Sequence, residues 1–256
     1  MLIIGQTRVP EVFETEYEAR ITEEVEANWS IRPNDQVLAI LGDYPKDMFS
    51  VNYGLVPFYS TSKKLIYQAP ISIGEETTAV LRKSIIYAKP FRKPIRDQRC
   101  IIPCDYFIQV QNQKAYLFFH EDRTTIALAG VYDHWTNPSN SSDSVNGAAI
   151  LTMPCYGLFK TLNLDYAPLM LHRHSKRWIR RKMHLNDVTA MMSPYPDKLL
   201  NGYELNIDSL ELNDKRIADR KGGYFRPRSG QNYRRVRKGD SQQRTPIDNS
   251  KTWGAQ

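Results

Sequence analysis

Between Gln36 and Met153 the chain carries six short runs rich in Val, Ile, Tyr and Phe: QVLAIL, FSVNYGLVPFY, CIIPCDYFIQV, AYLFFH, TTIALAGVYDHW and GAAILTM. Turn-forming residues bound each run. β-branched and aromatic residues in segments this short fit pleated strands better than helices, so a strand-rich core is expected over most of the chain. Helices flank it. Residues 11–28 (EVFETEYEARITEEVEAN) set Val12, Phe13, Tyr17, Ala19, Ile21 and Val25 among acids, with Phe13, Tyr17, Ile21 and Val25 at four-residue steps, the pattern of an amphipathic surface helix. Further helices are expected at 75–87, which opens with acids, and at 175–192, which starts on a Ser suited to capping and ends before Pro194. Residues 137–147 (NPSNSSDSVNG) read as a polar hairpin loop.

With 256 residues, 41% hydrophobic and 25% charged, the chain can bury one good core. No run approaches the ~18 apolar residues of a membrane span, and the start lacks the basic and long apolar regions of a signal peptide. Three cysteines, Cys100, Cys104 and Cys155, make no disulfide framework, which points to a cytoplasmic setting. Cys100 and Cys104 lack two further ligands at metal spacing, so no metal or other cofactor is expected.

The net charge of +7 is unevenly spread. Residues 215–256 hold 12 Lys+Arg against 3 Asp+Glu, whereas the remainder is slightly acidic. From Arg220 the sequence RKGGYFRPRSGQNYRRVRKGDSQQRTPIDNS has no apolar period and is expected to be disordered when unbound. Arginine interspersed with Tyr and Phe suits nucleic acid, through phosphate pairing and base stacking. It equally suits a solubilising tail. Three units are therefore expected: residues 1–28 packed on the domain, a domain over 29–214, and a basic tail over 215–256.

Several segments occur in a telling order: RPNDQVLAI, NYGLVPFY, EET, FRKPIRDQRCIIPCDYF, AGVYDHW, ILTM and APLML. In that order they resemble the SRAP (SOS-response-associated peptidase-like) family, whose members recognise abasic sites in single-stranded DNA. The resemblance covers about residues 29–214 and implies one α+β domain, a curved, mostly antiparallel and open-barrel-like sheet crossed by a DNA groove. In the family, an N-terminal Cys exposed by removal of Met closes onto the abasic aldehyde as a thiazolidine. A Glu and a His assist proton transfer, and an Asn–Arg pair holds sugar and phosphate.

This sequence departs from that set. Leu2 stands where the family has Cys, and so bulky a second residue predicts retention of Met1. The Asn and Arg positions carry Ser72 and Gly74, the Glu position Gln109, the His position Leu164 and a following Arg position Tyr166. A glutamine can hydrogen-bond but cannot accept a proton at neutral pH. The covalent chemistry is therefore expected to be absent. What the resemblance leaves is a binding frame. Pro33 matches a groove proline, and Tyr53 and Tyr59 replace two tryptophans. Glu76, Arg82 and Thr152 keep matching places, and Ser72, which replaces the family Asn, stays a candidate DNA contact. For Tyr53 and Tyr59, stacking on bases and packing within a strand both remain open. Glu76 and Arg82 also read as a helix-start acid and a solvated base, and Thr152 as a plain strand residue.

The stretch HRHSKRWIRRK carries six Lys/Arg. Arg173 and Arg177 are candidates for a phosphate-binding face, against the alternative of a solvated helix surface. His172, His174 and His184 lie close by, but no third ligand at suitable spacing favours a metal over surface histidines. The expected partner is single-stranded or junction DNA, or RNA, bound by a monomer that associates with the nucleoid. Two alternatives stand beside non-covalent binding: a Schiff-base enzyme acting through the Met1 amine or a lysine, and a catalytically dead interaction or RNA-binding module.

Overall fold

A computed structural model describes residues 1–71, 85–172 and 175–218, and the backbone of 220–226 and 234–235. Its strands are β1 Leu2–Gln6, β2 Arg20–Ile21, β3 Asn28–Ile31, β4 Gln36–Leu41, β5 Asp47–Tyr53, β6 Gln68–Pro70, β7 Arg99–Cys104 and β8 Tyr106–Gln111. They continue with β9 Lys114–His120, β10 Ile126–Asn137, β11 Asn140–Pro154, β12 Tyr166–Pro168, β13 Leu200–Leu205, β14 Arg220–Arg226 and β15 Arg234–Arg235. All six expected strand runs form strands.

The strands build two sheets, one of seven in the order β15-β14-β13-β9-β8-β1-β3 and one of eight in the order β12-β11-β10-β7-β4-β5-β2. Most pairings are antiparallel. Three are parallel: β2 with β5, β6 with β11, and β5 with β11, and the last closes the second sheet with Gly147 opposite Asn52 and Ala148 opposite Tyr53. The five strands β11, β10, β7, β4 and β5 thereby form a partly closed barrel. The main core spans both sheets, joining Leu2, Ile4, Phe107 and Phe118 of the first to Val37, Ile101, Leu128 and Ile150 of the second. Phe107, Phe118 and Phe159 stack at its centre, with ring centroids 5.1 Å and 4.8 Å apart along the row.

β1 occupies an interior place between β8 and β3, and all five of its residues are buried. Its last residue bridges the sheets: Gln6 Nε2 donates to Leu38 O (3.1 Å) and Pro103 O (2.7 Å), and Gln6 Oε1 accepts from Leu38 N (3.0 Å). A buried amide so fully bonded fixes one alignment of the two layers.

Several expected helices differ. Residues 11–28 are helical only as Pro10–Tyr17. Glu18 adopts a left-handed conformation (φ 48°) that ends the helix, and Arg20–Ile21 then pairs with β5. Residues 175–192 form two short helices, Ser175–Trp178 and Leu185–Ala190. The break follows from Arg99, which is 1% exposed and whose guanidinium donates to Trp178 O (2.7 Å), Ile95 O (2.8 Å), Arg96 O and Arg180 O. Carbonyls turned toward a buried guanidinium cannot carry the helix onward. The helix expected at 75–87 lies outside the described residues except for 85–87, which form a turn.

The polar stretch 137–147 is mostly strand, because β10 and β11 run on as one long hairpin around Pro138 and Ser139. Trp135 and Val145 pair across it and pack on Val56. At the C-terminal end, Lys215–Ala218 form a 3-10 turn with Ile217 and Ala218 buried. β14 then adds to β13, so the basic segment joins the sheet over Arg220–Arg226. Residues 227–233 and 236–256 lie outside the described residues. No helix among the described residues is long and apolar enough to cross a membrane.

Candidate nucleic-acid interface

The antiparallel register of β1 and β8 sets Leu2 directly opposite Gln109. The amine of Met1 donates to Val110 O (2.8 Å) and Val110 N donates to Met1 O (2.9 Å), which locks the chain start onto β8. Burial lowers the pKa of that amine, and the nearby Asp165 carboxylate acts in the opposite sense. Leu2 is 1% exposed. Gln109 is wholly buried, its Nε2 donating to Tyr166 O (2.8 Å) while its Oε1 has no hydrogen-bond partner.

The loop before β12 closes over this pair. Gln111 Nε2 donates to Asn163 O (3.1 Å), and Gln111 Oε1 accepts from Asp165 N (2.9 Å). Gln68 Nε2 donates to the Tyr166 hydroxyl (2.6 Å). Cys155 donates its thiol proton to Leu164 O (2.6 Å), and burial pushes that thiol up to about 12, too high for a nucleophile at neutral pH. Leu2, Gln109, Leu164 and Tyr166, expected at one site from the sequence, are thus brought together. Ser72, Gly74, Glu76 and Arg82 lie outside the described residues. The chain leads toward them through β6, which pairs with β11 and ends as Ile71 N donates to Thr152 O (2.8 Å).

Two expected DNA contacts are corrected. Tyr53 is fully buried, with its hydroxyl 3.5 Å from Leu2 O and its ring edge-on to Tyr67; burial also raises its pKa. It presents no free face to a base, because β5 turns it into the core to complete the barrel. Thr152 is 4% exposed and lies between β6 and β12, so its place is in the frame. Pro33 is half-buried in the turn before β4, where Asn34 N donates to Tyr53 O (2.7 Å). Arg177 pairs with Asp187 (3.6 Å), and Arg173 and His174 lie outside the described residues. Among the described residues no group of three His, Cys, Asp or Glu could hold a metal ion.

Tyr59 is exposed (37%), and its neighbour Phe58 more so (51%). Their rings meet edge to face with centroids 5.4 Å apart. Lys93 Nζ lies 4.4 Å from the Phe58 centroid and Lys89 Nζ 4.6 Å from that of Tyr59. The loop that carries the two rings is fixed at its base. Leu55 and Ile66 bridge across it, Phe58 N donates to Asp133 Oδ2 (2.9 Å), and Trp135 Nε1 donates to Ser60 O (2.8 Å). The lysines come from a second anchored segment, in which Ile85 and Phe91 are buried and Lys89, Arg92 and Lys93 are exposed. Flat rings beside cations offer stacking and phosphate pairing on one surface. The sequence reading missed Phe58, Lys89 and Lys93; the aromatic doublet after Pro57 was the available signal.

The family model of SOS response associated peptidase (SRAP) matches residues 3–208. The abasic site processing protein YoaM of Bacillus subtilis is 23% identical over 206 residues, which cover 77% of this chain and 86% of YoaM. The abasic site processing protein YobE of the same organism is 23% identical over 199 residues, covering 74% of this chain and 86% of YobE. A crystal structure of a protein from Bacteroides thetaiotaomicron superposes with a TM-score of 0.73 at 17% identity, over 85% of this chain and 98% of the other. One from Bordetella bronchiseptica gives 0.63 at 18% identity, over 80% and 99%. The family match takes in the whole eight-stranded sheet, the seven-stranded sheet apart from β14 and β15, and Gln109 but not Leu2, and the chain belongs to the SRAP family.

Proposed function

We propose that this SRAP-family chain acts in the response to DNA damage by binding single-stranded or junction DNA at abasic sites without forming a covalent bond. The observation that carries this reading is the exposed Phe58–Tyr59 pair with Lys93 and Lys89 against its rings. The relatives' names supply the abasic site as the lesion. The buried Leu2, Gln109 and Leu164 support the absence of covalent capture, since none can act as nucleophile, base or acid. The reading includes a cytoplasmic monomer that needs no cofactor.

The test compares single-stranded DNA with and without one abasic site on native and denaturing gels. A shift is expected on the native gel alone, and a band that survives denaturation overturns the non-covalent reading. Replacing Phe58 and Tyr59 together with Ala should weaken binding by roughly 1–3 kcal/mol for each base released.

One observation favours a second reading, Schiff-base processing by the Met1 amine. Its pKa is lowered by burial, which raises the fraction of free amine near neutral pH. Borohydride should then trap an adduct with abasic DNA whose peptide contains Met1. Failure to trap one removes this reading and leaves the first.

A further inference from the structure

The segment that carries Lys89 and Lys93 is striped. Phe91, Pro94 and Ile95 are buried, whereas Lys89, Arg92, Lys93 and Arg96 are exposed. Backbone bonds of helical span run through it: Phe91 N and Arg92 N donate to Ala88 O (2.9 and 2.8 Å), Ile95 N to Phe91 O (2.8 Å) and Asp97 N to Lys93 O (3.1 Å). Cations at i, i+3, i+4 and i+7 therefore share one face, about 10 Å long. That face meets the aromatic pair, where Lys93 and Lys89 lie against the Phe58 and Tyr59 rings. Burial raises the pKa of the Tyr59 hydroxyl, and the nearby Arg92 acts against that shift. Arg96 carries the stripe onward by one turn.

Arg99 brings a fifth exposed cation to the row. Its Nη1 donates to Arg96 O and its Nη2 to Arg180 O, so one buried guanidinium sets two segments distant in sequence side by side. Arg96 and Arg180 both keep exposed side chains. Among the described residues none of the five cations forms an ion pair, although Arg177 and Arg181, on either side of Arg180 in the chain, pair with Asp187 (3.6 Å) and Asp43 (2.9 Å). Asp97, the one acid among residues 85–98, lies near Arg99 and opposes the fall in its pKa that burial brings. Like charges three and four residues apart repel, and the buried Arg99 adds its own charge beneath them. Such a row is stabilised by an anion laid along it.

We propose that Arg92, Arg96 and Arg180 form a path for the sugar–phosphate backbone of a single strand whose bases stack on Phe58 and Tyr59. The inference rests on the DNA-binding reading for the bases and names the residues that hold the strand's phosphates. A guanidinium takes a phosphate with two parallel hydrogen bonds, and the length of the row suits a chain of phosphates better than a single ion. An acidic peptide would match the charge and leave the two rings bare. A strand supplies phosphates and flat bases together.

The full chain would be titrated by anisotropy with a labelled oligothymidylate over a range of salt, as the parent and with Arg96→Gln and Arg180→Gln together. Losing two phosphate contacts should make the plot of log K against log salt shallower by about 1.4 and weaken binding roughly 25-fold at about 0.1 M salt. Both changes lie at exposed side chains, and the groups that Arg99 holds are main-chain carbonyls, so the urea midpoint should stay near that of the parent. Lys114→Gln with Lys198→Gln, at exposed lysines outside the row, removes the same charge and should leave the slope unchanged. A slope unaltered in the arginine pair, or altered equally in both pairs, overturns the path and leaves the DNA-binding reading standing.

Inorganic polyphosphate and polyglutamate, neither of which carries a base, separate the phosphate chemistry from the stacking. By calorimetry, polyphosphate should bind the parent, bind the arginine pair more weakly, and bind Phe58→Ala with Tyr59→Ala as tightly as the parent. Polyglutamate that binds as tightly as polyphosphate and loses as much in the arginine pair would make the row a surface for acidic peptides and overturn the path. Arginine-dependent polyphosphate binding by a chain that binds no oligothymidylate overturns the DNA-binding reading and leaves a phosphate site without it.

Discussion

Leu2 and Gln109 face each other across β1 and β8, and both are buried. Restoring a thiol there has a structural cost. Leu2→Cys removes buried carbon and should destabilise the chain by about 2 kcal/mol. Any adduct it forms with abasic DNA should form slowly, since neither Gln109 nor Leu164 moves a proton. Adding Gln109→Glu supplies a carboxyl group in a buried place, where desolvation raises its pKa toward neutrality. The double variant should therefore crosslink roughly 10²-fold faster than Leu2→Cys alone, measured as the time course of the denaturation-resistant band. Equal rates would mean that Gln109 does not face the reacting atoms. The place of Gln109 and Leu164 beside the start of β1 was legible in the sequence because each is counted from a rigid neighbour, Gln109 from Asp105 and Phe107, Leu164 from Pro168. Phe58 and its lysine were not. They meet through two loops, and no periodicity joins loops that are distant in the chain.

The barrel closes where β5 and β11 run parallel, and the closure depends on a missing side chain. A Cβ on Gly147 would lie 2.1 Å from Gly54 O and 2.9 Å from the Leu55 Cα, both backbone atoms that cannot yield cheaply. Gly147→Ala should thus part the two strands at a cost of about 2–4 kcal/mol, read as a lower urea midpoint. It should also weaken binding of single-stranded DNA, because the loop carrying Phe58 and Tyr59 springs from Leu55. Arg99 serves the same sheet from the other side. Arg99→Met leaves the carbonyls of Trp178, Ile95, Arg96 and Arg180 buried without their donor, and a loss of about 3–5 kcal/mol is expected in the same measurement. Strands were legible as elements because their residues bury locally by type. Helix ends were not: the helix after Ser175 stops where a guanidinium far away in sequence takes its carbonyls. The central place of β1 also escaped notice, since its apolar run is too short to separate from a frayed terminus.

At the scale of the molecule, charge and sheet are coupled through the C-terminal segment. The excess of basic residues begins at Lys215, yet Ile217 and Ala218 are buried and Arg220–Arg226 extends the seven-stranded sheet beside β13. Composition marked this region as basic and aperiodic, and it could not show that the first part pairs as a strand, because strand pairing needs only backbone. A truncation before Arg220 and one after Arg226 should therefore behave differently. The shorter chain loses β14, bares the edge of β13 and should unfold at lower urea concentration or associate through that edge. The longer chain keeps β14 and should unfold near the midpoint of the full protein. Its affinity for single-stranded DNA should fall nonetheless, since seven Lys+Arg against two Asp lie beyond Arg226. The plot of log K against log salt should become shallower by about 0.7 for each phosphate that is no longer neutralised. A slope and affinity identical to those of the full chain would assign phosphate binding to the domain alone, with Lys89, Arg92 and Lys93 as its source. A longer chain as unstable as the shorter one would show that residues 227–256, β15 among them, hold β14 in place.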